Sequence, residues 1–162
     1  MKYILIVGAC DAGKSTTANA VCRKLNPNRI LQLTPKWGDL VNSNFVQVDN
    51  SVIIENGTYI IEENGRLILI SAGSPTEQNI CISMLIEICK KLNLSIEFAL
   101  VSMRSFEKKK GYDTRNELRK LGELLLEKKI YRIKHDKFEI TDEWKTRIDS
   151  IVKLIKDNIK EE

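Results

Sequence analysis

Aromatic side chains make up only 6% of the chain, and His135 is its only histidine. The four cysteines, Cys10, Cys22, Cys81 and Cys89, form no Cys-x-x-Cys pair and no cluster with His135. A cysteine-based metal site is therefore not expected. Cys22, Cys81 and Cys89 lie on apolar helical stretches and read as small buried hydrophobes. No apolar run approaches the roughly 20 residues needed to cross a membrane. The opening Met1-Lys2-Tyr3 is too short for a signal peptide and lacks a small-residue cleavage site, so a cytoplasmic protein is expected. There is no internal repeat, low-complexity segment or linker. The whole chain, 1–162, reads as one domain. Net charge is +4, and its excess of bases is interspersed with acids, which indicates neither nucleic acid nor membrane as a partner.

What the chain does have is a globular composition, 43% hydrophobic and 30% charged, rich in Ile and Leu. That suits a parallel sheet covered by helices. Its most informative stretch is Gly8-Ala9-Cys10-Asp11-Ala12-Gly13-Lys14-Ser15, which satisfies Gly-x-x-x-x-Gly-Lys-Ser/Thr at every specified position. The apolar run Tyr3 to Val7 before it reads as a buried strand, and Thr16 to Leu25 after it reads as a helix. Strand, glycine loop and helix are the context that makes this pattern a triphosphate site. Gly8 and Gly13 allow tight turning and close approach of backbone N–H groups to phosphate oxygens. The helix start adds unpaired N–H groups and a positive dipole end. Lys14 is expected on the β- and γ-phosphates, Ser15 in a magnesium shell and Thr16 on the α-phosphate. Cys10, inside the loop, is either a tolerated small residue or an oxidisable thiol that would block binding.

At these residues the chain resembles the P-loop NTPase superfamily. The portion Asp11-x-Gly13-Lys14-Ser15-Thr16 looks most like the loop of translational GTPases, Gly-His-x-Asp-x-Gly-Lys-Ser/Thr, with Ala9 in place of their histidine. The resemblance implies a three-layer P-loop fold, bound Mg2+, and ATP or GTP as ligand or substrate.

Farther along, Ile30 to Leu33 reads as a short strand, 34–44 as a loop, and Phe45 to Asp49 as a strand. The segments 52–55, 58–61 and 66–70, separated by Asn56-Gly57 and Asn64-Gly65, predict an antiparallel meander whose last member lies beside the first strand. A helix is expected over 76–92, a strand over 96–102, a helix from Asp113 or Thr114 to about Lys128, and a final strand over 130–133. Thr141 then caps a closing helix with an apolar stripe from Trp144 to Ile159. Strands alternating with helices predict an α/β fold of three layers with a mostly parallel sheet.

Other candidate groups follow from position. Ile68 to Gly73 falls where Ras-like GTPases carry apolar residues followed by Asp-x-x-Gly. Gly73 matches the glycine, whose N–H would meet the γ-phosphate, but Ile70 takes the aspartate's place, and nothing matches Asn-Lys-x-Asp. Asp49, ending an apolar strand, is the substitute candidate for orienting magnesium, with Asp39 and Asp11 behind it. Glu77 and Gln78 lie in a switch-like position, although Glu77 serves equally as a first-turn helix residue. The segment 104–115 joins a strand end to a helix, so Arg104 or Arg115 could stabilise a transferred phosphoryl group. Lys108 to Lys110 read as a solvated run; Tyr112 suits a base, the core or open surface. The leading expectation is a magnesium-dependent NTPase of Ras-like layout. Alternatives are a kinase with a small-molecule or nucleotide acceptor near Trp37, Asp39 and Asp11, and a non-hydrolysing switch or scaffold that binds a protein partner.

Overall fold

The computed structural model describes residues 1–34 and 43–159; Trp37 and Asp39 lie outside them. Its strands are β1 (Lys2–Val7), β2 (Arg29–Thr34), β3 (Asn44–Val48), β4 (Thr58–Glu63), β5 (Arg66–Ser71), β6 (Ile96–Met103) and β7 (Glu123–Lys129). Its helices are α1 (Lys14–Leu25), α2 (Pro75–Gln78), α3 (Ile82–Lys91), α4 (Thr114–Leu121) and α5 (Asp142–Asn158). The strands form one seven-stranded sheet in the order β3-β2-β4-β5-β6-β1-β7.

Strand alternation sorts the core into two layers. Ile4, Ile6, Ile68, Ile70, Phe98 and Leu100 face α1 and α5, packing on Val21, Cys22, Ile151 and Ile155. Tyr3, Leu5, Val7, Leu69, Ala99 and Val101 face the other way, onto α3 and Leu118 of α4. The strands β1, β5 and β6 are thus apolar on both faces, which is why these runs are continuous rather than alternating. The result is three layers, helix, sheet, helix.

The sheet is mixed rather than mostly parallel. β5, β6, β1 and β7 pair in parallel, whereas β4 is antiparallel to β5, β2 to β4, and β3 to β2. The hairpin between β4 and β5 turns at Asn64 and Gly65, both with positive φ (50° and 73°), as an Asn-Gly turn requires. The expected first member of the meander, 52–55, is not a strand. It is part of a strap that climbs along α1, and Asn56-Gly57 is not a hairpin turn. The last member, β5, is separated from β1 by β6.

Two further boundaries differ from expectation. The helix over 76–92 is broken at Asn79, which is left-handed (φ 58°), leaving α2 and α3. The helix expected to reach Lys128 stops at Leu121, because Gly122 turns the chain into extended backbone. A Cβ on Gly122 would lie 2.1 Å from the Met1 carbonyl oxygen, so only glycine lets the chain enter the sheet here. Glu123 N–H then donates to Met1 O (2.9 Å), and β7 runs beside β1. The final strand therefore precedes 130–133, which is irregular apart from Ile130 N–H donating to Val7 O (2.8 Å). Among the described residues no helix is long and apolar enough to cross a membrane.

Candidate functional site

The glycine loop leaves the sheet at the carboxyl edge of its parallel strands. Gly8 N–H donates to Met103 O at the end of β6 (3.2 Å), which fixes the exit. A Cβ on Gly8 would fall 2.8 Å from Ala12 Cβ and 3.0 Å from Ile130 O, so no larger residue fits without movement. Gly13 is left-handed (φ 90°, ψ 30°), a conformation glycine adopts without penalty, and it starts α1. No side chain caps α1 and no acid lies in its first turn. The N-terminal N–H groups and the positive end of the dipole therefore face the loop uncompensated by any carboxylate of their own.

Lys14 carries the main electrostatic feature. Its side chain is 5% exposed, and its ammonium donates to the loop's own carbonyls, Gly8 O (2.8 Å) and Ala9 O (2.9 Å). It joins no ion pair among the described residues. Burial holds its pKa below the ordinary lysine value, with the Glu77 carboxylate pulling modestly the other way.

A second buried cation lies behind the loop. Arg147 of α5, 4% exposed, donates to Tyr131 O (2.8 Å) and reaches Ala12 O (3.5 Å) and Thr17 Oγ1 (3.4 Å). It has no carboxylate in ion-pair range among the described residues, and burial lowers its pKa. Its signal was readable: residue 147 lies three after Trp144 and four before Ile151, on the apolar stripe of α5.

In front of the loop is an open groove of about 850 Å3, lined by Cys10, Asp11, Gly13, Lys14, Ser15, Thr16, Asn56, Glu77, Arg104 and Arg132. Ser15 Oγ lies 3.1 Å from Asn56 Oδ1 and 3.2 Å from Ala72 O, two acceptors for its proton. Arg104, at the end of β6, pairs with Glu77 across the groove (3.2 Å). The structure thus brings together the loop, Arg104 and Glu77, as their positions implied. It adds Asn56 and Arg132, which no sequence signal singled out. Lysine and arginine outnumber carboxylates in this lining, so the groove suits a polyanion.

Two expected site residues, Asp49 and Arg115, are elsewhere, and a third, Gly73, sits beside the groove without lining it. Asp49 follows β3, whose Val48 pairs with Ile30 at the start of β2. β2 runs in the same direction as β1, so Asp49 lies at the amino edge, opposite the glycine loop. Arg23, which donates to the neighbouring Asn50 O, is eight residues along α1 from Ser15, about 12 Å of helix rise. Asp49 instead accepts from Ser51 N (2.8 Å) and Oγ (2.5 Å), and these bonds lower its pKa. Arg115 donates to Glu127 Oε1 (2.6 Å), tying α4 to β7, and does not line the groove. Gly73 N–H pairs with Gly57 O (3.3 Å). A Cβ there would meet Asn56 backbone at 3.1 Å, so this glycine serves close packing of the strap, not a phosphate contact.

The strap is itself anchored on α1: Asn50 O accepts from Arg23, Ile54 N–H donates to Asn19 Oδ1 (2.9 Å), and Asn56 meets Ser15. Gln78 donates to Gly73 O (2.6 Å) and Ser71 Oγ (3.2 Å), while its Oε1 accepts from Thr58 (2.7 Å), so it is a structural clamp. Tyr112 lies under Lys109 (5.3 Å) and lines no part of the groove. The cysteines are free, with Cys10 exposed and Cys22 and Cys89 buried. Burial pushes Cys22 up to about 11 and Cys89 to about 12. No group of three or more His, Cys, Asp or Glu among the described residues could hold a metal by itself. No family model, curated protein or solved structure matches this chain.

Proposed function

We propose that the chain is a P-loop nucleotide-binding protein that holds the triphosphate of ATP or GTP in the groove in front of residues 8–16. The observation that carries this reading is Lys14, a buried ammonium folded back on the carbonyls of Gly8 and Ala9 with no carboxylate paired to it among the described residues. A buried charge without a counter-ion is costly, and an incoming phosphate would supply the missing charge. The uncapped start of α1 and the surplus of cations in the groove support the same ligand.

The donor set fits a magnesium ion of the usual kind, held mostly by phosphate oxygens and water. Ser15 Oγ would be one protein ligand, released from Asn56 and Ala72 O. Of the two groove carboxylates, Asp11 and Glu77, Glu77 would take the orienting role that Asp49 is too far away to fill. Magnesium would neutralise phosphate charge and template the polyanion. Arg104, released from Glu77, would face the terminal phosphoryl group.

For the reaction we propose hydrolysis, with water as the acceptor and Arg104 as the cation for the terminal phosphoryl group. The test is to incubate the protein with Mg-ATP and Mg-GTP separately and measure phosphate release beside Glu77→Gln and Arg104→Ala. Slower release in both variants, with binding retained, is expected. Turnover only when an acceptor is added would make it a kinase, and binding without turnover would make it a switch or scaffold.

A further inference from the structure

The groove is not the only cavity the glycine loop lines. A second, of about 260 Å3, shares Asp11, Gly13, Thr16 and Arg132 with it. Its remaining walls are of different chemistry: Ala12, Ile133, His135, Phe138, Trp144 and Arg147. Phe138 packs edge-to-face on Trp144, with ring centroids 5.0 Å apart at 75°, and the Arg147 guanidinium lies 5.6 Å over the Trp144 ring. These contacts fix the aromatic wall before any ligand arrives. His135 Nδ1 accepts from Lys137 N–H (2.9 Å), which leaves the proton of the neutral ring on Nε2 as a donor.

We infer that this second cavity receives the base of the nucleotide whose phosphates lie in the groove. The inference rests on the phosphate reading above and extends it in one direction. Ser15, Glu77 and Arg104 line the groove and not the second cavity, so the terminal phosphate belongs on their side. Thr16 and Arg132 line both cavities, so the nucleoside passes between them from the groove into the aromatic cavity. A phosphoryl acceptor would have to approach the terminal-phosphate side, which argues against that occupant. The volume is slightly below that of whole small-molecule sites, about 300 Å3 and upward, and suits part of a ligand. A planar π system beside aromatic side chains and a guanidinium is the natural occupant.

The experiment compares Mg-ATP and Mg-GTP with Mg-tripolyphosphate, which has the phosphates and no base, by calorimetry on the full chain. At least one nucleotide is expected to bind more tightly than tripolyphosphate. Phe138→Ala should weaken that nucleotide by about tenfold and leave tripolyphosphate within about twofold, which also reports that the variant is folded. Nucleotide, and not tripolyphosphate, should change Trp144 emission, a change absent in Trp144→Phe. Equal affinities for nucleotide and tripolyphosphate, or equal losses in Phe138→Ala, would overturn the base site while leaving the phosphate reading in place. Failure of all three ligands to bind would remove both.

Discussion

The two edges of the sheet handle charge in opposite ways. At the amino edge, Arg29 pairs with Glu62, Arg66 with Glu97, Lys2 with Asn158, and Asp49 with Ser51. At the carboxyl edge, Lys14 and Arg147 are buried on backbone carbonyls, and Arg132 forms no ion pair among the described residues. The amino edge pairs most of its charges and leaves one carboxylate oxygen, Glu63 Oε2, buried without a partner among the described residues, whereas the carboxyl edge buries two cations, a cost that an anion would remove. The lesson is that folding and ligand binding place different demands on similar side chains, so substitutions at the two edges should separate stability from affinity.

The largest expected effect is at the amino edge. Gly122→Ala would put a methyl 2.1 Å from Met1 O, forcing β7 away from β1. A loss of about 3 kcal/mol in urea unfolding is expected, with nucleotide affinity unchanged while the protein remains folded. At the carboxyl edge the pattern should reverse. Arg147→Met removes a buried charge from behind the loop, so stability should stay within about 1 kcal/mol while nucleotide affinity falls about tenfold. Stability lost without affinity would show that Arg147 is only a packing residue.

A subtler difference lies in pH dependence. Lys14 is held below its unfolded value of 10.5. Between the two values the unfolded chain carries the extra proton, so this group makes stability rise with pH up to about 10.5. Cys22 and Cys89, raised from 9.0 to about 11 and about 12, act oppositely, because the unfolded thiols ionise first and stability drains above about pH 9. Subtracting urea midpoints of Lys14→Met from those of the parent between pH 8 and about 10.5 isolates the lysine. The parent should gain relative to the variant as pH rises. The smallest effects are expected from Asp49→Asn and Arg115→Ala: no change in nucleotide affinity, and at most about 1 kcal/mol of stability for the half-exposed Arg115–Glu127 pair.

Legibility in the sequence followed the range of the interactions concerned. The glycine loop, its strand and its helix are contiguous, so local pattern was enough for all three. The Asn64-Gly65 hairpin was readable for the same reason. The strand order was not, because nothing local to Leu67–Ile70 says that β6 comes between it and β1. Asp49 looked like a site carboxylate because apolar residues precede it, yet strand direction decides which edge it reaches. The run Leu118, Leu121, Leu124 and Leu125 reads as one helix until Gly122 is weighed as a terminator. Arg147 was legible as the cation on an otherwise apolar stripe of α5, whereas Asn56 and Arg132 depend on tertiary approach alone.

The decisive measurement is calorimetric titration of the full chain with Mg-ATP and Mg-GTP beside Lys14→Ala. If the buried ammonium is the counter-charge for a triphosphate, at least one nucleotide binds the parent and the variant loses about a hundredfold or more in affinity. No nucleotide binding by the parent, or equal binding by parent and variant, would contradict it.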